Sequence, residues 1–237
     1  MQRAIVTGGT RGIGFAIAHA LLAQGARVMI TGRDTGRVDE AVRSLVASGH
    51  DAARIAGAAV DVRDRAAVDR LVASTVRQFD GLDVLINNAA VGASGNVEVT
   101  TDETWHAVIE TNVTGPFYFS RAAIPVIRRA GGGWIINVAS LAARHPFPRG
   151  ATYCASKAAL VAFTESLMQE VRFDNIRVSV ILPGSVATEF SGPKAPDDDI
   201  WKLSPDDVAE AVIDLLRHPA RSLPSLIELR PSKPKKN

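Results

Sequence analysis

The sequence predicts an α/β fold in which about seven parallel strands form one doubly wound sheet, in the order 3-2-1-4-5-6-7, with helices on both faces. Short apolar runs alternate with helical patterns along the chain, as they do when helices connect parallel strands. A glycine-rich turn at residues 8–14 directly follows the first apolar run. The 237 residues are 46% hydrophobic and 22% charged. We therefore expect a single domain over residues 1–237.

The composition excludes several classes of protein. A formal net charge of +2 argues against a dedicated nucleic-acid binder. The one cysteine, Cys154, excludes an internal disulfide framework and is typical of a reducing compartment. No apolar run reaches the roughly 18 residues of a membrane span, and no leader precedes the first strand. We therefore expect a cytoplasmic protein that binds neither membranes nor metals.

The first strand–turn–helix unit predicts a phosphate-binding turn. A strand at residues 3–7 leads into a turn with Gly8, Gly12 and Gly14, and a helical pattern then continues to about Gln24. Glycines allow a tight turn and the close approach of a ligand, while the start of a helix offers free N–H groups to phosphate. At the opening of an alternating α/β chain, this turn favours a dinucleotide.

The end of the second strand, at residues 27–31, indicates which dinucleotide is bound. In such folds this position lies beside the adenosine ribose, where an arginine accommodates a 2′-phosphate. Arg33 follows Gly32 here, and Arg11 in the glycine turn can approach the same phosphate. Asp34 is interpreted as the N-cap of the next helix. We therefore favour NADP over NAD.

The later elements follow the same alternation. Pro116 interrupts the longest helical pattern and predicts a kink just after Asn112. The predicted elements are helix 35–48, strand 54–60, helix 64–79, strand 82–86, helix 101–129, strand 134–140, helix 151–173, strand 177–182, helix 205–217 and strand 226–229.

Polar residues follow the third and fourth strands. Asp61 either accepts a hydrogen bond from the adenine amino group or is a carboxylate at a helix N-terminus. Asn87 and Asn88 end a buried strand, where unpaired amides are costly, so they must bond to backbone, ligand or each other. We expect this pair to hold neighbouring strand ends around the cofactor.

Tyr153 and Lys157 are spaced for acid–base chemistry. Residues four apart lie on one face of a helix. A neighbouring ammonium lowers the pKa of a phenol from about 10 towards neutrality, where proton transfer is useful. The glycine turn, Arg33, Asp61, residues 87–90, Ser140 and residues 183–188 all fall at the carboxyl ends of predicted strands. Ligands of such sheets bind at this edge.

Together these residues resemble the short-chain dehydrogenase/reductase family, in its single-domain branch, over roughly residues 3–190. Thr7 and the three glycines match the cofactor turn, and residues 87–90 match the fourth-strand motif. Pro183, Gly184 and Thr188 match the segment that closes over the nicotinamide. The family's catalytic tetrad is matched by Asn112, Ser140, Tyr153 and Lys157. The resemblance implies a Rossmann-like fold and an oxidoreductase that uses a nicotinamide cofactor.

The resemblance also implies a role for each member of the tetrad. Tyr153 would protonate the substrate carbonyl oxygen, or deprotonate the alcohol in the reverse direction. Lys157 would bind the nicotinamide ribose and lower the pKa of Tyr153. Ser140 would orient the carbonyl by a hydrogen bond, and Asn112 would hold a water that links Lys157 to solvent.

The remaining cofactor contacts follow from the same match. Thr188 would bind the carboxamide, while Ile13 and Val186 would pack near the nicotinamide. The family usually has glycine where this chain has Ala90. The predicted cofactor-binding residues are Gly8, Thr10, Arg11, Gly12, Ile13, Gly14, Arg33, Asp61, Val62, Asn88, Ala89, Ala90, Tyr153, Lys157, Pro183, Gly184, Val186 and Thr188.

The sequence says less about the substrate. A short lid is predicted at residues 189–204 and a flexible tail at residues 230–237. His145 and Arg149 either bind a carboxylate or are exposed loop residues. The predicted pocket consists of Val91, Leu141, His145, Phe147, Phe190 and Trp201, and it suits a small ketone, a keto acid or an oxoacyl thioester.

The sequence is also compatible with two alternative functions, and the resemblance implies a homo-oligomer. Arg128, Arg129 and Arg172 either form a patch for an acidic carrier protein, as in a 3-oxoacyl-(carrier protein) reductase, or belong to a solvated face. A non-catalytic dinucleotide sensor or scaffold would not need the intact tetrad. The resemblance implies a homotetramer or homodimer that forms through helices 101–129 and 151–173.

Overall fold

The computed structural model describes residues 2–191 and 201–234. Their strands form one sheet in the order β3-β2-β1-β4-β5-β6-β7, and every neighbouring pair is parallel. The predicted strand order is therefore confirmed. The strands are β1 (Arg3–Val6), β2 (Arg27–Gly32), β3 (Ile55–Ala59), β4 (Val84–Asn87), β5 (Gly133–Val138), β6 (Ile176–Pro183) and β7 (Leu226–Leu229).

Helices connect the strands, as the sequence predicts. A π-helical turn, Glu110–Thr114, joins α4 to α5 and contains Asn112, so the long predicted helix is continuous but locally unwound at the position of the expected kink. The helices are α1 (Gly12–Ala23), α2 (Thr35–Ala47), α3 (Arg65–Phe79), α4 (Asp102–Ile109), α5 (Gly115–Arg129), α6 (Ala151–Val171) and α7 (Pro205–Arg217). Within the described residues, no helix is both long and apolar enough to cross a membrane.

The sheet separates two apolar cores. Successive residues of a strand point to opposite faces, so Val6 packs with α1, α2 and α7 while Ile5 packs with α3, α5 and α6. Both side chains are completely buried. Covering both faces leaves the ends of the strands as the accessible part of the sheet, and the parallel order brings all carboxyl ends to one edge.

Candidate active site

A large cleft lies along the carboxyl edge of the sheet, with a volume of about 2010 Å³. Pockets for a single small ligand are typically about 300–1,000 Å³, so this cleft has room for a dinucleotide beside a substrate. Every predicted site residue lines the cleft except Gly14 and Asn112. The fold therefore brings together residues that are spread over most of the sequence.

The glycine turn forms one wall of the cleft because its backbone adopts conformations that favour glycine. Gly8 and Gly12 have φ angles of +64° and +54°. A Cβ on Gly14 would collide with the carbonyl oxygen of Gly8, so Gly14 is needed for packing of the turn rather than for cleft lining. The start of α1 has no side-chain cap and no acidic residue in its first turn, which leaves its N–H groups available to a phosphate.

Asn88 ties the end of β4 to this turn. Its Nδ2 donates to the carbonyl oxygens of Thr7 and Gly8 at 3.0 and 3.1 Å. The Thr7 hydroxyl in turn accepts hydrogen bonds from the backbone N–H groups of Asn88 and Ala89. Asn87 points away from the cleft and donates to Asn137 at 2.8 Å. The two asparagines hold strand ends together as predicted.

The adenosine end of the cleft contains both acidic and basic side chains. Asp34 caps α2 by accepting a hydrogen bond from the Arg37 backbone, which confirms its predicted role, and Arg33 and Arg37 line the cleft beside it. Asp61 forms an ion pair with Arg63 at 2.7 Å, and the hydrogen bonds from Arg63 hold the pKa of Asp61 below its usual range. Asp64, not Asp61, caps α3, so Asp61 is left facing the cleft as an anion.

The segment after β6 crosses from the glycine turn towards Tyr153. Thr188 lies so close to Gly12 that a Cβ there would be 3.2 Å from its methyl group. Glu189 forms an exposed ion pair with Arg11 at 2.9 Å. Phe190 reaches Tyr153, with ring centres 5.9 Å apart. The predicted 2′-phosphate ligand Arg11 is thus engaged by a carboxylate across the cleft.

Ser140, Tyr153 and Lys157 meet on the floor of the cleft. The first turn of α6 places Tyr153 beside the end of β5, where its phenol interacts with the Ser140 hydroxyl. Lys157, only 2% exposed, donates to the Val138 carbonyl at 3.0 Å and lies 5.7 Å from the centre of the Tyr153 ring. A phenol that faces the cleft is thereby held between a hydroxyl and an ammonium.

The pKa of Tyr153 corrects one expectation from the sequence. Burial raises the pKa of this phenol above its usual value of about 10, and the hydrogen bond from Ser140 opposes the rise only in part. Burial also lowers the pKa of Lys157 to about 8. The expected lowering of the Tyr153 pKa by Lys157 is therefore not found, because desolvation of the phenol outweighs the other effects.

Asn112 lies behind the floor of the cleft. Its amide forms two hydrogen bonds with the Val91 backbone, both 2.9 Å long, and donates to the Ser156 hydroxyl at 3.0 Å. Ser156 then donates to the carbonyl of Tyr153. Asn112 thus connects the loop after β4 to α6, and its predicted role of holding a water stays a prediction.

Comparison with known proteins assigns the chain to a family. The family model of short chain dehydrogenases matches residues 2–199. The chain belongs to the short chain dehydrogenase family. An uncharacterized oxidoreductase of Staphylococcus saprophyticus is 34% identical over 232 residues, which cover 96% of each chain.

Solved structures of similar proteins agree with this assignment. A metagenomic short-chain oxidoreductase in complex with NADP shares 34% identity, with a TM-score of 0.85 over 98% of each chain. An alcohol dehydrogenase from the archaeon Thermococcus sibiricus, complexed with 5-hydroxy-NADP, shares 28% identity, with a TM-score of 0.89 over 100% of this chain and 99% of the other. The whole described fold is thus that of this oxidoreductase family.

The end of the cleft that was predicted to hold the substrate includes residues that were not predicted. Residues 230–237 were expected to form a flexible tail, but Arg230, Pro231 and Pro234 line the cleft, and a Cβ on Gly184 would be 3.0 Å from Pro231. Residues 235–237 lie outside the described residues, as do residues 192–200 of the predicted lid. One signal was present in the sequence, since Arg230 directly follows a strand whose carboxyl end must face the site.

Two of the three arginines in the basic patch predicted for a carrier protein contact other residues of the same chain. Arg128 forms an ion pair with Asp174 at 2.6 Å, and Arg172 donates to Gln169 at 2.8 Å. Neither residue lines the cleft. The carrier-protein alternative therefore stays a prediction.

Proposed function

We propose that the chain is an NADP-dependent oxidoreductase that transfers hydride between NADP(H) and a carbonyl or secondary alcohol, with Tyr153 as the general acid and base. The observation that carries this proposal is the convergence of Tyr153, Ser140 and the buried Lys157 on the cleft floor, with the Lys157 ammonium 5.7 Å from the centre of the Tyr153 ring. A sensor would have no need to hold a phenol, a hydroxyl and an ammonium together at such a position.

The cleft fits a nicotinamide dinucleotide. The uncapped start of α1 suits the pyrophosphate, and the glycine turn provides space that a Cβ would fill. The cofactor supplies the hydride, while the protein orients the substrate and moves a proton. In the reduction direction, Ser140 donates a hydrogen bond to the carbonyl oxygen and Tyr153 gives that oxygen its proton. Because burial raises the pKa of Tyr153, this phenol stays protonated at neutral pH.

The preference for NADP rests on two arginines. Arg33 and Arg37 line the adenosine end, and Asp34 is occupied in capping α2. Two guanidinium groups suit a 2′-phosphate, which NADH lacks. NADPH should therefore bind more tightly than NADH in parallel titrations, and tighter binding of NADH would contradict the proposal.

Substitution of the general acid tests the mechanism. Tyr153→Phe removes the transferred proton but keeps the ring, so kcat should fall by about 10²–10⁴-fold while the Kd for NADPH stays near that of the wild type. The chain has only two tyrosines, and Tyr118→Phe is the matched control that should keep full activity. A Tyr153→Phe variant that turns over carbonyls at the normal rate would refute the mechanism. Binding of NADPH without turnover of any ketone, keto acid or oxoacyl thioester by the wild type would favour the sensor.

We further propose that the chain assembles through α4, α5 and α6. Trp105 on α4 and Phe117 on α5 are 43% and 42% exposed. Phe117 packs edge-on against Phe163 of α6, and the Arg121 guanidinium lies 5.0 Å from the Phe117 ring centre. Such a surface suits a partner copy. Light scattering at working concentration should give the mass of a dimer or tetramer, and a monomer would contradict this.

A further inference from the structure

The carboxyl end of β7 brings a guanidinium group into the substrate end of the cleft. Arg230 directly follows β7 and lines the cleft together with His145, which lies on the loop after Ser140. The Nη2 atom of Arg230 donates to Nε2 of His145 at 2.8 Å and to a carboxylate oxygen of Glu228 at 2.7 Å. Because an arginine can only donate, His145 accepts here through an unprotonated Nε2.

Arg230 retains unused hydrogen-bonding capacity. Both of its hydrogen bonds involve Nη2, and within the described part of the chain Nη1 and Nε have no partner. The Arg230 side chain is about half exposed, at 52%. Its free N–H groups therefore lie at the surface of the cleft, where a ligand can reach them.

The charges around Arg230 do not cancel. Arg144 and Arg230 share the single carboxylate of Glu228, with distances of 3.1 and 2.7 Å. Hydrogen bonds from Arg230 and then Arg144 hold the pKa of Glu228 below its usual range, so this carboxyl is ionised at neutral pH. With His145 neutral, this cluster of two guanidiniums and one carboxylate keeps one surplus positive charge.

Strand register places this surplus charge close to the reacting centre. Val138 of β5 pairs with Ile181 of β6, and Pro183 of β6 pairs with Leu229 of β7. Continuing this register by two residues sets Ser140 level with Leu229, two strands away. Neighbouring strands lie about 4.8 Å apart, so the backbones at Ser140 and Arg230 are separated by about 10 Å. A small substrate held by Ser140 can span the remaining distance to the Arg230 side chain.

We propose that Arg230 binds the carboxylate of the substrate, and that the substrates of this enzyme are short oxo acids and the corresponding hydroxy acids. Glu228 and His145 fix the guanidinium, while its free N–H groups face the ligand. One surplus positive charge matches a monoanion rather than a doubly charged phosphate ester. This inference rests on the proposed oxidoreductase function and adds the substrate class to it.

Matched acids and esters test the proposal. The probes are pyruvate, acetoacetate and 4-oxopentanoate, each beside its methyl ester, with NADPH oxidation as the readout. Wild-type enzyme should prefer at least one acid over its ester. Arg230→Met should raise the KM of that acid about tenfold or more, the value of a charge-assisted hydrogen bond, and leave the ester within about twofold. Arg230→Lys, which keeps the charge, should fall between the two.

Arg144→Met is the control for a structural role of the cluster. Arg144 shares Glu228 with Arg230 but does not line the cleft. Its loss removes the surplus charge but no hydrogen bond to the ligand, so it should lower the preference for the acid less than Arg230→Met does. Three results would each overturn the proposal. Arg230→Met could lose activity equally on acid and ester, Arg144→Met could lose as much preference for the acid as Arg230→Met, or the wild type could show no preference for any acid.

Direct binding separates this inference from the mechanism. Calorimetry of 4-oxopentanoate with the NADPH-loaded wild type and the Arg230→Met variant needs no turnover. Binding by the wild type that is lost in the variant supports the carboxylate site even if no probe is reduced, in which case the proposed catalytic function alone fails. Equal binding by both proteins, or binding by neither, would reject the carboxylate site whatever the catalytic result.

Discussion

The two walls of the cleft are built in different ways. The cofactor wall, formed by residues 7–14 and 88–90, is held by hydrogen bonds of the backbone, the Thr7 hydroxyl and the Asn88 amide, all within β1, β4 and the turns that follow them. The substrate wall, formed by residues 141–150, 188–190 and 230–231, joins distant segments through side-chain contacts. Its ion pairs Arg144–Glu228 and Arg230–Glu228 are at least a quarter exposed on each side.

We expect the cofactor wall to bind the cofactor in the same way for every substrate, and the substrate wall to determine which substrate is bound. Backbone geometry at the cofactor wall depends on a few glycines, and we expect its binding of phosphate to be independent of the substrate. Exposed ion pairs contribute only about 0–1 kcal/mol each, so the substrate wall can change its residues at little cost in stability. We therefore expect substitutions at the cofactor wall to alter NADPH affinity, and those at the substrate wall to alter selectivity.

The largest effect is expected at Lys157, which lies where the two walls meet. Lys157→Met removes the ammonium below the reacting phenol and should lower kcat about 100-fold or more. A loss of kcat of this size, with a smaller change in the Kd for NADPH, would indicate that Lys157 acts mainly in proton transfer. A larger effect on NADPH binding than on kcat would indicate that Lys157 acts mainly in cofactor binding.

Lys157→Met should also change how the free energy of unfolding depends on pH. Burial lowers the pKa of folded Lys157 from 10.5 to about 8. Between these pH values the unfolded chain binds more protons, so this lysine makes the wild type more stable as pH rises and less stable below pH 8. The stability of Lys157→Met relative to wild type should therefore fall between pH 8 and 10.5, by up to about 3 kcal/mol. Denaturant unfolding at both pH values measures it, and a constant difference would contradict the burial of this charge.

A smaller effect is expected from Gly14→Ala in the cofactor wall. The added methyl group collides with the Gly8 carbonyl and the Asn88 amide, and overpacking of this kind costs about 1–3 kcal/mol. NADPH affinity should fall about tenfold, while the ratio of kcat/KM for acid and ester substrates stays unchanged. Gly95→Ala is the control, because its methyl group would meet only Thr100, at 3.8 Å. Normal NADPH affinity in Gly14→Ala would show that the wall tolerates distortion.

The smallest effect is expected at the ion pair that joins the walls. Glu189→Gln removes the carboxylate that engages Arg11 at 2.9 Å, which frees the guanidinium for a cofactor phosphate. Because both side chains are more than half exposed, the Kd for NADPH should decrease by no more than about threefold. Fluorescence titration at low and at high salt measures the change. Weaker NADPH binding by Glu189→Gln would mean that the pair positions Arg11 instead of competing for it.

Much of the fold was predictable because it depends on patterns that are local in sequence. Apolar runs at strand spacing, glycines in the first turn and cap residues such as Asp34 act within a few residues. The alternation of strands with helices predicts a parallel sheet, and the resemblance to a dinucleotide-binding family supplies the order of its strands. Asn112 shows the limit of such patterns. Its kink was predicted from Pro116, but its hydrogen bonds to Val91 and Ser156 depend on helices and loops far apart in the chain.

The sequence alone determined the family, the sheet order and the residues of the dinucleotide turn, because consecutive positions form that turn. Tertiary structure alone determined the direction in which the pKa of Tyr153 shifts, because the burial that raises this pKa depends on the parts of the chain that surround the phenol. It also decided the place of Arg230, which a linear reading assigns to a flexible tail. Only the pairing of β7 beside β6 brings that guanidinium to the edge where Ser140 lies.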